Sequence, residues 1–187
     1  MPEFDVAGWE RFYEKHFGLT VDLSNLHVPP KPDYPCRAIV AVSQLTNNKV
    51  FDAGTKAFEG KTWRYTNDLD TVYDVVQRPS GPCVVWLRNV VEADEDMKNK
   101  SADDIETAGT NTLTLKERML LELEYHDETG KHLDVQKIML CAGSRYSGGG
   151  VPSAHWRDEF CVGPYYFSYL RYGYYNHLRK CWKKSVD

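Results

Sequence analysis

The chain has 187 residues, of which 42% are hydrophobic and 13% aromatic, and its formal net charge is -4 at pH 7. This length and apolar content predict one globular domain rather than several. The negative charge argues against a general nucleic-acid binder, although it leaves room for a local basic face. The 12 tyrosines and 5 tryptophans can fill a substantial core, and they can also serve a binding surface.

The cysteines are scattered along the chain, and no two of them form a Cys-x-x-Cys motif. They are Cys36, Cys83, Cys141, Cys161 and Cys181. Three of them lie in or beside apolar runs, so we interpret the set as reduced, buried thiols of a cytoplasmic protein. A zinc site built from such distant cysteines has no spacing to support it. No cofactor is predicted.

Residues 1–18 are predicted to form an amphipathic helix with an aromatic face that ends at Gly18. The apolar positions at helical spacing are Val6, Trp9, Tyr13 and Phe17. Residues 19–35 hold four prolines and are predicted to be an extended connector, which leaves 36–187 as the globular domain. The favoured role of this helix is to pack on the core of the domain, and the alternative is an arm hinged off the main body that docks on a partner. If it is an arm, deletion of residues 1–30 should leave a folded core and abolish association with the partner.

The N-terminus lacks the basic start and continuous apolar core of a signal peptide. No apolar run in the sequence has the length that a membrane span needs. We therefore expect a cytoplasmic protein with no membrane partner.

Apolar, β-branched runs predict the strands of one small sheet. These runs are residues 36–43, 83–91 and 136–142, with a further strand expected near 151–162. Capping signals predict helices from Thr46 to Gly60, from Thr66 onward, from Ser101 to Gly109 and over 115–129. These elements predict a single α+β domain with a small mixed or antiparallel sheet covered by helices. An α/β arrangement is the runner-up.

A glycine-rich loop after the third strand is the first candidate site. It reads Ser144-Arg145-Tyr146-Ser147-Gly148-Gly149-Gly150, and His155 follows on the next segment. Glycines let backbone amides approach an anion, while Ser and Arg donate hydrogen bonds to it, so the loop suits a phosphate or carboxylate ligand such as a nucleotide. It matches neither a dinucleotide fingerprint nor a Walker loop. The alternative is a hairpin connection in which Arg145 makes a structural salt bridge.

Two further groups supply residue types for catalysis or metal binding without a specific spacing. Serines of the loop with His155 and Asp158 would supply a nucleophile and a base, but no nucleophile elbow is present. Acidic residues at 92–96 and the histidines His126 and His132 invite a metal interpretation. Because no recognised ligand spacing accompanies them, solvated surface residues are the favoured interpretation.

The C-terminal segment, from Tyr165 to Lys184, is aromatic and basic. Its cations include Arg171, Arg179, Lys180, Lys183 and Lys184. Tyrosines interleaved with cations suit single-stranded nucleic acid through stacking and phosphate pairing. The favoured alternative is a terminal helix over 174–184 that packs its apolar face on the core and exposes its basic face to solvent.

Three segments carry a resemblance to other proteins. They are WLRNVVEADEDMKNKSA, LTLKERMLLELEYHDETGKHLDV and LCAGSRYSGGGVP. In these segments the chain resembles a group of uncharacterised bacterial proteins. The resemblance implies that the three segments belong to one unit, and it transfers no activity and no residue role.

The leading hypothesis is a non-enzymatic binding or accessory protein that acts through macromolecular contacts. Its features are the aromatic N-terminal helix, as the surface for a protein partner, and the aromatic C-terminal face. The first alternative is a nucleotide-like ligand bound at Ser144 to Gly150. The second is nucleic-acid binding by the C-terminal segment. A binding protein is favoured over an enzyme.

Overall fold

In the described part of the chain, two β-sheets and a short β-ladder are covered by helices. The structure, a computed structural model, describes residues 4–165 together with the backbone of 176–177 and 181–182. Within these residues the α-helices are α1 Val6–Phe17, α2 Asn47–Ala57, α3 Ala102–Thr107 and α4 Leu115–Thr129. Short 3₁₀ helices span Leu69–Thr71 and Glu95–Met97.

The strands fall into three groups. They are β1 Cys36–Ala41, β2 Thr62–Arg64, β3 Tyr73–Asp74, β4 Cys83–Arg88, β5 Ile138–Leu140, β6 Ser144–Arg145, β7 Val151–Arg157, β8 Glu159–Tyr165, β9 Asn176–His177 and β10 Cys181–Trp182. One sheet has the order β1-β4-β10, a second has the order β2-β8-β7-β5-β9, and β3 pairs with β6. The β2–β8 and β5–β9 pairs are parallel, whereas β1–β4 and β5–β7–β8 are antiparallel.

The predicted α+β class is confirmed by this arrangement, in which the helices do not alternate with a continuous parallel sheet. The assignment of all predicted strands to one sheet is wrong. Strands β1 and β4 form one sheet, and β5, β7 and β8 belong to another. A run of apolar residues identifies a buried strand but does not indicate which other strand it pairs with. The sequence therefore could not assign the strands to their sheets.

Helix α4 is the central helix, and it packs against α2, β1 and β7. A capping box formed by Thr114 and Glu117 starts it, and Gly130 in the left-handed conformation ends it, as the sequence predicts. Two charged residues of α4, Arg118 and Glu122, are also buried and have no exposed side-chain surface. The Arg118 guanidinium pairs with Glu122 at 2.8 Å and with Asp134 at 2.9 Å.

Helix α1 is part of the main core. Trp9, Phe12 and Tyr13 are buried in the same apolar cluster as β1, β4 and α4. The Tyr13 hydroxyl donates a hydrogen bond to the Val40 carbonyl of β1. The alternative of an arm hinged off the body is therefore wrong, because these aromatic side chains fill the core instead of facing a partner.

Other local predictions differ from the structure. The helix expected from Thr66 is a single 3₁₀ turn followed by strand β3, because Tyr73 and Asp74 pair with β6. A continuous helix over 174–184 is excluded by the extended backbone of 176–177 and 181–182. The candidate cations Arg171, Arg179, Lys180, Lys183 and Lys184 lie outside the described residues.

Among the residues that the structure describes, no helix is both long enough and apolar enough to cross a membrane.

Candidate functional site

Ser144 and Arg145, which begin the glycine-rich loop, are buried and hydrogen-bonded within the protein. Ser144 is buried, and its hydroxyl accepts a hydrogen bond from the backbone N–H of Leu115 while donating one to Asp74 at 2.6 Å. It thereby joins the start of α4 to strand β3. The preceding Gly143 passes so close to α4 that a Cβ there would lie 2.8 Å from the Leu113 carbonyl oxygen.

Arg145 also directs its donors into the protein, and only 6% of the residue is exposed. Its Nη1 donates to the carbonyls of Ala142 and Ser144 at 2.7 and 3.0 Å, and its Nη2 lies 3.3 Å from Glu106. This is the structural role that the sequence left open as an alternative to ligand binding.

Replacing Arg145 with alanine is expected to lower the free energy of unfolding by about 2–3 kcal/mol, because two buried carbonyls and a carboxylate lose their donor. Urea unfolding of the ligand-free protein measures this. The exposed Arg157→Ala variant is the control and should change stability by less than about 0.5 kcal/mol. An unchanged stability of Arg145→Ala would instead leave the guanidinium available for a ligand.

The tip of the loop faces solvent. Ser147, Gly148 and Gly149 are exposed, and Gly149 adopts a φ of 83°. The turn is closed by two backbone bonds, in which the Tyr146 N–H donates to the Gly150 carbonyl and the Gly149 N–H donates to the Tyr146 carbonyl. Tyr146 is half-buried, and burial raises the pKa of its hydroxyl to about 12. The loop thus divides into a buried base and an exposed glycine-rich tip.

The proposed catalytic grouping is not assembled. His155 lies on β7, where burial lowers the pKa of its imidazole. Within the described residues, no hydrogen bond joins His155 or Asp158 to Ser144 or Ser147.

The acidic segment 92–96 is neutralised by the protein itself. Glu92 accepts hydrogen bonds from the backbone N–H groups of Gln136 and Lys137. Asp94 and Asp96 pair with Arg88, and Glu95 pairs with Lys98 and Lys137. In the part of the chain that the structure describes, no group of three or more histidine, cysteine or carboxylate side chains is arranged to hold a metal ion.

The two histidines near the end of α4 form an aromatic stack. His132 lies between His126 and Trp156, with ring centroids 4.6 and 3.2 Å away. Its Nδ1 is 2.9 Å from a carboxylate oxygen of Glu122, which links the stack to the buried Arg118 network. These contacts favour a packing role for the pair.

The sequence did not predict a further feature, which is a stretch of strand edge that pairs with no other described residue. Strand β1 stands at the end of its sheet. The Asn89 N–H donates to the Pro35 carbonyl at 3.0 Å, which makes this a hydrogen-bonded pair. Since such pairs alternate along an antiparallel ladder, Arg37 also turns its backbone groups toward β4. Cys36 and Ala38 must turn theirs away from the sheet.

The open part of the edge is limited at both ends. Val40 also points its carbonyl outward, but that carbonyl accepts the Tyr13 hydroxyl. Pro35 has no N–H to offer at the other end. Between them, no hydrogen bond reaches the outward backbone groups of Cys36 or Ala38 from any residue that the structure describes.

This open edge lines a groove of about 550 Å³. One wall is aromatic and combines Trp86 of β4 with side chains from the segments that precede β1. The Trp86 indole donates from Nε1 to the Pro29 carbonyl at 3.0 Å, and Phe4 meets Trp86 edge-on at 6.0 Å. Trp9 of α1 also lines the groove. The N-terminal helix and the proline connector therefore contribute to one wall of the groove.

The other wall is charged and belongs to α4. The Arg37 guanidinium lies 2.8 and 2.6 Å from the two carboxylate oxygens of Glu124 and also pairs with Glu128. Burial raises the pKa of Glu124, and the Arg37 charge offsets this only in part. Asn89 contributes its side-chain oxygen beside Arg37, at 3.4 Å from Nε.

The sequence offers a weak signal for this groove. Its lining residues come from four separate segments, and only the tertiary fold brings them together. The run Cys36–Ala41 does identify β1, yet nothing in it indicates which edge stays unpaired.

Comparison of the chain with protein-family models, with curated proteins and with solved structures found no match. The functional argument therefore rests on the geometry of the groove.

Proposed function

We propose that this is a non-enzymatic binding protein that receives an extended segment of a partner protein along the open edge of β1. The observation that carries the proposal is the pair of residues Cys36 and Ala38, whose outward N–H and C=O groups lack hydrogen-bond partners in the described part of the chain. They line a groove large enough for several peptide residues. A peptide strand added to a sheet edge supplies such partners, and its main chain provides the affinity.

The walls of the groove support the same function. Unpaired strand edges invite uncontrolled pairing, so proteins usually cover, charge or shorten them. Here nothing in the described part of the chain pairs with the edge at Cys36 and Ala38, and the half-buried side chains of Phe4, Val28 and Pro29 lie beside it in the groove. Apolar surface of this kind forms the buried centre of protein–protein contacts.

We place this binding in the cytoplasm of a bacterial cell. The four cysteines whose side chains are described are free thiols, which supports a reducing compartment. The bacterial source rests on the resemblance in the three sequence segments alone.

The first test replaces Ala38 with proline. Proline removes the outward N–H yet leaves the β1–β4 ladder intact, since an edge strand tolerates proline where its N–H faces away from the sheet. Peptides selected from a displayed random library against the full-length protein should bind Ala38→Pro at least about tenfold more weakly, as measured by calorimetry. The matched Ala38→Ser variant keeps the N–H and should bind normally. Equal affinity of all three proteins would exclude strand addition.

N-methylation of the selected peptide gives an independent readout. An amide that donates to the Ala38 carbonyl loses that bond when methylated, whereas the next amide along the peptide points away from β1. Affinity should therefore fall on methylation at every second position. Insensitivity at all positions would mean that side chains alone hold the peptide.

The anion-binding alternative keeps only the exposed tip Ser147 to Gly149, because Ser144 and Arg145 are engaged inside the protein. A thermal-shift screen with nucleotides tests it, and stabilisation lost in a Gly148→Pro variant would support it. The nucleic-acid alternative depends on cations outside the described residues. It predicts an affinity for single strands that weakens with rising salt.

A further inference from the structure

The open edge of β1 is accessible at one end and closed at the other. Pro35 is exposed and residues 36–38 are half-buried, whereas residues 39–41 are buried. The closed end is filled from α1, because Tyr13 is fully buried and its hydroxyl donates to the Val40 carbonyl. An added strand lies about 4.8 Å from its neighbour, so the Tyr13 side chain stands where such a strand would run beside Val40. An added segment can therefore pair along 36–38 and must end before Val40.

The length of the open stretch favours a segment that is antiparallel to β1. The outward groups are the N–H donors and the carbonyl acceptors of Cys36 and Ala38. In an antiparallel ladder, the residues opposite Cys36 and Ala38 satisfy all of these groups within the open stretch. In a parallel ladder, the donor to the Ala38 carbonyl belongs to a residue that lies beside Ile39, where the edge is buried. An antiparallel segment therefore makes one more hydrogen bond than a parallel segment in the same space.

The direction of the segment and the closed end of the edge together define which end of a partner chain enters. A segment antiparallel to β1 runs from Val40 toward Pro35, so its N-terminal side faces the closed end. Residues that precede the position opposite Ala38 would overlap Tyr13. The C-terminal side leaves past Pro35, which is exposed. The partner chain therefore has room to continue only in its C-terminal direction.

We infer that the edge of β1 receives the free N-terminal end of a partner chain, which lies antiparallel to β1 and begins close to the position opposite Ala38. This inference rests on the proposed function, since it names the class of segment that the same edge binds. Main-chain hydrogen bonds hold the segment, so the position of the chain end defines the class rather than a pattern of side chains. A loop of a folded partner continues in both directions and does not fit the closed end.

Three display libraries of random peptides test the inference on the full-length protein. The first presents each peptide with a free N-terminus, the second with a free C-terminus, and the third as a linker between two folded domains. We expect binders from the first library only, and their affinity should fall at least about tenfold for Ala38→Pro and stay unchanged for the matched Ala38→Ser variant.

The outcomes of the library experiment separate the two proposals. Binders of similar affinity from the second or third library that are also sensitive to Ala38→Pro would overturn the chain-end inference and leave strand addition intact. If no library yields binders that are sensitive to Ala38→Pro, strand addition itself fails, and the chain-end inference fails with it.

Extension of one selected peptide gives a matched comparison within a single sequence. A Gly-Ser-Gly-Ser linker added before the first residue should weaken binding at least about tenfold in calorimetry, because the linker would overlap Tyr13. The same linker added after the last residue should change the affinity by less than about twofold, because the segment leaves there past the exposed Pro35. Equal effects of the two linkers, or a larger effect of the C-terminal one, would contradict the inferred direction.

Discussion

Replacing Arg118 with methionine is expected to lower the free energy of unfolding by about 3–5 kcal/mol. The Arg118 side chain is fully buried, pairs with Glu122 and Asp134, and lies over the Phe160 ring at 5.6 Å. Methionine fills much of the same space but leaves two buried carboxylates without their cation. Denaturant unfolding at neutral pH measures the loss, and a change below about 1 kcal/mol would contradict this account of the network.

Arg64→Met is the control for Arg118→Met. Arg64 is partly exposed and lies 3.8 Å from Asp52, so its loss should cost less than about 1 kcal/mol.

The pH dependence gives a second check on the Arg118 network. Burial acts to raise the pKa of Glu122, but Arg118 and His132 outweigh it and hold that pKa below the ordinary glutamate value. A lowered folded-state pKa stabilises the protein above the ordinary value, and this stabilisation is lost as pH falls through the folded-state pKa. The stability difference between the wild-type protein and Arg118→Met should therefore narrow in acid. A difference that stays constant down to the acid transition would exclude a charge-based role.

Tyr13→Ala is expected to lower the free energy of unfolding by about 3–5 kcal/mol, because it empties a ring-sized volume in the main core. Burial also raises the pKa of Tyr13 above its usual range, so the hydroxyl stays protonated and keeps its bond to Val40. Tyr13→Phe removes that bond alone and should cost about 1 kcal/mol. Denaturant unfolding of the two variants separates the packing from the hydrogen bond.

Deletion of residues 1–30 should therefore unfold the protein rather than release a binding arm. Circular dichroism of the truncated chain measures this. A truncated chain with native helix content and a cooperative transition would show that α1 contributes little to the core.

Local signals predicted the helices well. The capping boxes at Ser101 and Thr114 and the left-handed glycines at Gly18 and Gly130 act within one turn, so their residues lie side by side in the sequence. The helix expected from Thr66 failed because a distant strand, β6, pairs with Tyr73. Tertiary pairing there outweighed the local propensity.

The residue types of the glycine-rich loop led to a wrong prediction for Ser144 and Arg145, which were expected to bind an anion. Ser144 and Arg145 have the chemistry of anion ligands, yet their partners are Leu115, Asp74 and Ala142 of the same chain. The groove was not predicted because its defining feature lies in the backbone and not in the side chains. It is defined by backbone groups that lack partners among the described residues, and a sequence does not record which strand edge remains unpaired.

Strand β1 also bears on how the protein avoids aggregating. A flat open edge allows sheets of different molecules to join and to extend without limit. The edge at Cys36 and Ala38 lies between the aromatic wall and α4, with Pro35 before it and the Tyr13–Val40 bond after it. The open stretch is therefore limited to Cys36 and Ala38, which is short for pairing with the sheet of a second copy. We accordingly expect the protein to stay monomeric at high concentration, which sedimentation measures.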